Sequence, residues 1–325
     1  MPIILPAYFS ALSANETISA CWTIASTGGG VDVDASNLKF VDPFGMALLA
    51  ATFHKLQQQG SVVRVHKINA KLSGYMQRMD VFHGVELVDC TPMRGQRQDR
   101  ADALMEVTRL EMRKDVDAAA LRLTRALVGR MPVTNRDELP DEMTGYTESD
   151  RLSEPIQYAF NELLENALTH ARRSGYGNAS VWVACQYYPS SDWVRLGVVD
   201  NGCGFLETLR GHSALCQETH LAAILAALQP RVSCNRELGL HADSVNQGVG
   251  LTTTQRIAMS AGGRLYVASG NAIHSSAAYS HLAGGTCWQG VAIGLECKRQ
   301  RLPEVRLRDL LPPVEPQPGI RLRFE

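Results

Sequence analysis

Four short motifs follow one another between residues 162 and 286, and their order restricts the fold more than any other feature of this 325-residue chain. In sequence order they are Glu162-xxx-Asn166 in a helical pattern, Asp200-x-Gly202-x-Gly204 after a strand-like run, Gly248-x-Gly250 before a helical run, and Gly284-Gly285-Thr286 before a last strand-like run. One glycine pair is weak evidence, because turns often contain glycine. The ordered set is much stronger and predicts an α/β domain.

The first motif lies in the stretch NELLENALTH, residues 161–170, which predicts an amphipathic helix starting near residues 153–155. Glu162 and Asn166 are four residues apart and therefore share one side of this helix, with Glu165 and Thr169 beside them. The apolar stripe is on the other side: Ile156, Phe160, Leu163, Leu164, Ala167 and Ala171. Alone, this pattern is typical of a solvated helix, so a functional interpretation depends on the other motifs.

Two strand-like runs, Val181 to Tyr188 and Trp193 to Val199, flank the turn at residues 189–192. The second run ends at Asp200, which places a carboxylate at the exit of a buried strand, beside glycine backbone that can pass close to a ligand. Gly248 and Gly250 open a helical run, whose free N–H groups and positive dipole end suit a phosphate.

The ordered motifs resemble the ATP-binding domain of the GHKL superfamily, which unites gyrase, the 90 kDa heat-shock chaperones, histidine kinases and MutL. The resemblance covers about residues 150–297. It implies a two-layer α/β sandwich, the Bergerat fold, with ATP and Mg²⁺ as ligands.

For the base, the resemblance implies that Asp200 accepts a hydrogen bond from the exocyclic amine of adenine. Guanine carries a carbonyl at that position, so the contact would select adenine. Thr286 would hold a water that shares the contact with Asp200. Gly202 and Gly204 would let the base approach closely.

For the phosphates, the resemblance implies that Asn166 coordinates a Mg²⁺ ion through its side-chain oxygen. Gly248, Val249 and Gly250 would donate backbone N–H groups to the phosphates. Glu162 would be the general base that takes a proton from an attacking water or hydroxyl.

A second α/β unit is predicted near the N-terminus, where the strand pattern from Val31 is followed by a helix beginning at Asp42-Pro43 and a strand at residues 62–65. The stretch DASNLKFVDPFGMALLAATFHKLQQQG resembles the central signature of STAS domains, the fold of bacterial anti-sigma-factor antagonists. In those antagonists a serine before the helix glycine accepts phosphate. Phe44 stands at that place here and has no hydroxyl, so this copy is not expected to be phosphorylated there.

These patterns predict a STAS-like domain at 1–92, a helical connector and loop at 93–150, the GHKL domain at 151–297 and a tail at 298–325. The connector is predicted to hold one or two amphipathic helices, from the spacing of Leu104, Val107, Leu110, Val116, Leu123 and Leu127. Residues 131–149 are interpreted as a loop, residues 205–246 as a mobile lid over ATP, and residues 320–324 as a possible last strand.

Composition excludes several classes of function. The 32 basic and 33 acidic side chains nearly balance, so no overall field attracts nucleic acid or anionic lipid. The eight cysteines form no CxxC pair, which argues against a zinc or thioredoxin-like site. Neither a signal peptide nor an apolar run of membrane-spanning length is evident, so we expect a cytoplasmic protein.

Three functions remain open at this stage. The first is a signalling protein like the anti-sigma-factor serine/threonine kinases, whose partners are STAS proteins or sigma factors. The second is an ATP-gated conformational ATPase that closes a homodimer, or an ATP-sensing scaffold whose STAS-like domain docks on the lid to control an effector. The third, a sensor histidine kinase, is less favoured because no histidine occurs between His83 and His170 to accept phosphate.

Overall fold

The computed structural model describes residues 2–90, 97–129, 147–230, 232, 250–276 and 278–305. The helices are α1 (Ala14–Ala25), α2 (Pro43–Gln58), α3 (Ala70–Arg78), α4 (Val116–Val128), α5 (Glu148–Ala171), α6 (Gly204–Thr208), α7 (His220–Ala227) and α8 (Gly250–Ser260). Within these described ranges, no helix has both the length and the apolar character needed to cross a membrane.

The strands form one large and one smaller sheet, together with a short two-stranded pair. They are β1 (Ile3–Ile4), β2 (Tyr8–Phe9), β3 (Val31–Asp34), β4 (Phe40–Val41), β5 (Val63–His66), β6 (Glu86–Val88), β7 (Leu104–Leu110), β8 (Val181–Tyr188), β9 (Trp193–Asp200), β10 (Arg264–Gly270), β11 (Ala272–Ser275), β12 (Tyr279–His281) and β13 (Trp288–Lys298).

The large sheet has seven antiparallel strands in the order β12-β11-β10-β13-β9-β8-β7. Its central strand is β13, which is followed by the hairpin of β9 and β8, the two strands predicted on either side of the turn at 189–192. They pair from Val181 opposite Asp200 to Tyr188 opposite Trp193. The α/β fold class predicted from the sequence is confirmed.

Both faces of this sheet are buried, each by a different part of the chain. Helices α4, α5 and α8 pack on one face, where Val198 and Ile293 belong to the core that includes Phe160. The neighbouring residues Val199 and Ala292 point to the opposite face and belong to the core of the N-terminal unit. Because side chains alternate along a strand, β8, β9 and β13 become almost continuously apolar when both faces are covered.

The N-terminal unit, residues 2–90, is built on a parallel sheet in the order β1-β3-β5-β6. Helix α2 lies between this sheet and the large sheet. Asp42 caps its N-terminus by accepting a hydrogen bond from Gly45 N at 3.0 Å, with Pro43 in the first turn. Its side chains are buried almost all around, including Phe44 and Phe53, as expected for a helix covered on both sides.

A glycine notch in the large sheet receives the start of α2. Gly197 on β9 and Gly294 on β13 are direct partners across the two strands. A Cβ atom on Gly197 would lie 2.6 Å from Phe44 Cα, and one on Gly294 would lie 3.1 Å from Phe44 Cδ2. Only glycine therefore lets α2 approach the sheet this closely.

The segment predicted as a helical connector differs from the prediction in its first half. Residues Leu104–Leu110 form strand β7, which pairs with β8 at the edge of the large sheet. A register shift between Met105 and Thr108 breaks the two-residue alternation, so the spacing of Leu104, Val107 and Leu110 imitates a helix. The second half is a helix as predicted, α4, and it packs against α5.

Helix α5 begins earlier than the sequence predicts, at Glu148 rather than near residues 153–155, and runs through Pro155. The side chains of Leu152 and Ile156, on either side of Pro155, are buried and pack this part of α5 against the core. Most of the loop predicted at 131–149 and the strand predicted at 320–324 lie outside the described residues.

Candidate functional site

A pocket of about 520 Å³, partly open to solvent, lies between α5, α6, the start of α8 and the ends of β9 and β13. Its polar side chains are Asn166, His170, Asp200 and Thr208, and the rest of the lining is apolar apart from Gly204. A mainly apolar cleft with a few convergent polar groups is the usual form of a small-molecule site.

Among the described residues that line this pocket, Asp200 is the only carboxylate, and it is 3% exposed. It ends β9, and its oxygens accept hydrogen bonds from Gly202 N at 2.9 Å and from Val291 N at 3.2 Å. Burial raises the pKa of Asp200 to about 7, although these two bonds favour the charged form. Each oxygen keeps one lone pair for a ligand, so the group can accept a further hydrogen bond when ionised.

Helix α5 contributes Asn166 and His170, which lie one turn apart on the face toward the pocket. Burial lowers the pKa of His170 to about 4, with Arg173 adding to the effect. His170 is therefore a neutral imidazole at physiological pH and adds no charge to the pocket.

Glu162 lies beyond the pocket, where α5 touches the first turn of α8. A Cβ on Gly250 would come within 2.9 Å of Glu162 Cβ, so Gly250 is required for this close contact. Burial, and then the nearby Glu165, raise the pKa of Glu162, while the Tyr158 hydroxyl, 3.5 Å away, opposes the shift. A carboxylate with a raised pKa beside a helix N-terminus has the character of a general base.

Glu165 has a different partner from Glu162, namely Arg113. Its two oxygens accept hydrogen bonds from the guanidinium of Arg113 at 3.0 and 3.3 Å. The two glutamates of NELLENALTH are therefore distinct: one lies at the junction of α5 with α8, and the other forms an exposed ion pair.

The two glycines after Asp200 also differ from each other. Gly204 lines the pocket with φ +78°. Gly202 does not line it, and a Cβ there would lie 2.2 Å from Ala171 O at the end of α5. Gly204 is therefore placed beside the pocket, whereas Gly202 packs the Asp200 loop against α5, and the role predicted for both glycines in admitting a base stays a prediction.

Thr286 is not at the place that the sequence predicts. Its hydroxyl is hydrogen-bonded at 3.2 Å to that of Ser19 on α1, and Thr286 does not line the pocket. The pairing of Ala292 with Val199 brings Val291 next to Asp200 instead. The Val291 backbone N–H donates to the second oxygen of the carboxylate, and the water-holding role of Thr286 stays a prediction.

Gly248 and Val249, predicted to bind phosphate, lie outside the described residues, as do residue 231 and residues 233–249 of the predicted lid. Gly250 begins α8. The described part of the predicted lid contains α6, which supplies Phe205 and Thr208 to the pocket wall, and α7.

Besides Val291 and several aliphatic residues, the described lining of the pocket includes His170, Phe205 and Thr208, which were not named as site residues from the sequence. His170 could have been found, because it follows Asn166 by four residues on a helix whose polar face was already identified. Phe205 and Thr208 carry no comparable signal, since their position depends on the turn at Gly204.

Comparison with known proteins identifies the segment that carries the pocket. Residues 152–289 match the family model described as histidine kinase-, DNA gyrase B-, and HSP90-like ATPase. A search of curated proteins and a search of solved structures each gave no match. The matched segment includes Glu162, Asn166, Asp200 and Gly250, and it does not include the N-terminal unit. Residues 152–289 therefore form a GHKL-type ATPase domain.

Proposed function

We propose that this chain is a Mg-ATP-binding signalling protein, with the base in the pocket beside Asp200 and the phosphates toward the first turn of α8. The observation that carries the proposal is the buried carboxylate of Asp200 in the wall of a largely apolar pocket that also contains Asn166. A buried charge costs free energy unless it is paired, so a buried carboxylate at a ligand cleft, whose hydrogen-bond partners among the described residues are two backbone N–H groups, favours recognition of a donor on the ligand.

Adenine supplies such a donor through its exocyclic amine. When ionised, Asp200 has only acceptors to offer, and two of these are already used by backbone N–H groups. Guanine would place a carbonyl oxygen against this carboxylate, and two facing acceptors repel each other. The site should therefore prefer adenine nucleotides.

The phosphate end rests on α5 and α8. Asn166 offers a neutral side-chain oxygen, and among the described residues no group of three His, Cys, Asp or Glu side chains could hold a metal without the nucleotide. This fits Mg²⁺, which commonly takes one or two protein ligands and completes its shell with phosphates and water. Bound there, Mg²⁺ would neutralise charge on the phosphates, and Glu162 would accept a proton from the attacking group.

Within signalling proteins, the arrangement of Glu162 and Asn166 resembles that of the anti-sigma-factor serine/threonine kinases. The N-terminal unit, which we interpret as STAS-like, would then be a non-phosphorylatable copy. Phe44, at the acceptor position, is 1% exposed and packs on the face of the sheet opposite the pocket. Any phosphoryl transfer would therefore go to a second protein, such as a STAS protein with an intact serine, a sigma factor or another effector.

An ATP-sensing scaffold is the alternative, and the packing of the N-terminal unit favours it over transfer within the chain. The unit covers the large sheet through α2, so it belongs to the same packed core as Val199 and Ala292 of the ATPase domain. In this version, ATP would change the shape of the chain or close a homodimer with slow or no turnover.

The test combines calorimetry of ATP with Mg²⁺ and an assay of γ-phosphate release or transfer. We expect wild type to bind ATP, Asp200→Asn to bind at least tenfold more weakly, and Glu162→Gln to bind normally without turnover. Glu165→Gln is the matched control for Glu162→Gln, because its carboxylate pairs with Arg113.

Absence of ATP binding by wild type would refute the proposal. Normal binding with no turnover in either wild type or Glu162→Gln would select the scaffold. Equal losses of turnover in Glu162→Gln and Glu165→Gln would remove the assignment of Glu162 as the base.

A further inference from the structure

The first residues of β13 form a clasp around Asp200, by which we mean the segment Trp288–Val291. The indole Nε1 of Trp288 donates a hydrogen bond to Asp200 O at 3.0 Å, and Val291 N donates to Asp200 Oδ2 at 3.2 Å. Between them, Gly290 has φ +105°, and a Cβ there would lie 2.3 Å from Asp200 O. The clasp thus fixes both the backbone and the side chain of Asp200.

The other side of the clasp is held by the N-terminal unit. Lys55 Nζ on α2 donates to Gln289 Oε1 at 3.4 Å, and Trp288 is 7% exposed and belongs to the apolar core of that unit. Just ahead of the clasp, the hydroxyl of Thr286 meets that of Ser19 on α1. The indole of Trp288 therefore lies between the N-terminal unit and the carboxylate that faces the pocket.

We propose that Trp288 is a positioning residue for Asp200, and that through it the N-terminal unit sets how strongly the pocket prefers adenine. This rests on the proposed function, because it assumes that Asp200 accepts the adenine amine. A hydrogen bond to a carboxylate depends steeply on distance and angle. Loss of the indole bond would remove one restraint on the Asp200 backbone, so we expect the contact between the carboxylate and the amine to weaken.

The test separates this contact from binding as a whole. ATP and purine riboside 5′-triphosphate, which lacks the exocyclic amine, are titrated with Mg²⁺ into wild type and Trp288→Phe. We expect wild type to prefer ATP. Trp288→Phe should reduce that preference by about tenfold, the scale of one hydrogen bond to a charged group, while its affinity for purine riboside triphosphate stays within about twofold.

Trp193→Phe is the matched control, since Trp193 stacks with Lys298 at the far end of β9 and does not line the pocket. It should keep the preference of wild type. Lys55→Met provides a second variant that leaves the indole in place and loosens the clasp from the N-terminal side. It should reduce the preference in the same direction, and it decides the question if Trp288→Phe does not fold.

An equal loss of affinity for both nucleotides in Trp288→Phe would mean a merely structural role and overturn the inference, as would an unchanged preference. If Lys55→Met has to decide, an unchanged preference there overturns it as well. Failure of wild type to bind ATP is a different result, because it refutes the proposed function before any variant is compared.

Discussion

Replacing Asp200 with asparagine should change how protein stability depends on pH, even without nucleotide. The pKa of Asp200 is raised from 3.8 to about 7 because the carboxylate is buried. An acid whose pKa is higher in the folded state binds its proton more tightly there than in the unfolded chain. Its ionisation therefore lowers stability as pH rises from about 3.8 through about 7, and above that window the loss is complete.

The size of the effect follows from the two pKa values. Across the whole window the ionisation of Asp200 removes about 4 kcal/mol from the free energy of unfolding. Between pH 6 and pH 8, where the protein can be studied, linkage gives a loss of about 1.4 kcal/mol. Asp200→Asn has no such ionisation, although it loses one of the two backbone hydrogen bonds, a cost that does not vary with pH.

The assay is chemical denaturation of wild type and Asp200→Asn at several pH values from 6 to 8, with no nucleotide present. The stability of wild type relative to Asp200→Asn should fall by about 1.4 kcal/mol over this range. Asp117→Asn, which removes an exposed carboxylate on α4, is the matched control variant. A flat difference for Asp200→Asn would refute the reasoning, because it would mean that the carboxylate is not desolvated.

Three further outcomes are expected. ATP affinity should weaken several-fold from pH 8 to pH 6 as Asp200 takes up its proton, and calorimetry should show no such trend in Asp200→Asn. Gly197→Ala should lower the free energy of unfolding in denaturant by about 1–3 kcal/mol or more, because its Cβ meets the Phe44 backbone. The control Gly74→Ala, which has open space around it in α3, should raise that free energy by up to about 1 kcal/mol. Equal effects of the two substitutions would contradict the close approach of α2 to the sheet at Gly197. Of the described cysteines, Cys216 is exposed and should react first with a maleimide. Burial raises the pKa of Cys185 to about 12, so this thiol should react only when the protein unfolds. Early labelling of Cys185 would contradict its burial.

Local patterns in the sequence were enough to locate the hairpin of β8 and β9 and the helical character of α2, α4 and α5. These elements have long apolar runs or regular spacing, which the packing of the fold reinforces. Strand β7 was mistaken for a helix because its register shift near Met105 disrupts the alternation of a strand. No local pattern distinguishes a shifted strand from a helix over seven residues.

The site could be predicted only where one element determines the position of a residue. Asn166 and Asp200 line the pocket, and their positions follow from a helix face and a strand end that are visible in the sequence. The choice between Thr286 and Val291 depends on the register of β13 against β9, which is set across 91 residues of chain, as the Val291–Asp200 bond shows. The turn at Gly284 and Gly285, both with positive φ, ends before β13 begins, so the motif that contains Thr286 lies ahead of the strand that reaches Asp200.

The large sheet is the layer shared by the pocket and the N-terminal unit, and this limits how a signal can pass between them. Along β9, Val198 lines the pocket while Val199 packs in the core of the N-terminal unit. Release of that unit would expose Phe44 and Phe53, which are each about 1% exposed in the folded chain. Exposing each ring would cost about 1.5–3 kcal/mol, and exposing the other apolar side chains of α2 would add to this cost. Small shifts of β9 and β13 require no such exposure. A nucleotide in the pocket should therefore act on the N-terminal unit through strand position, with α2 remaining in its notch.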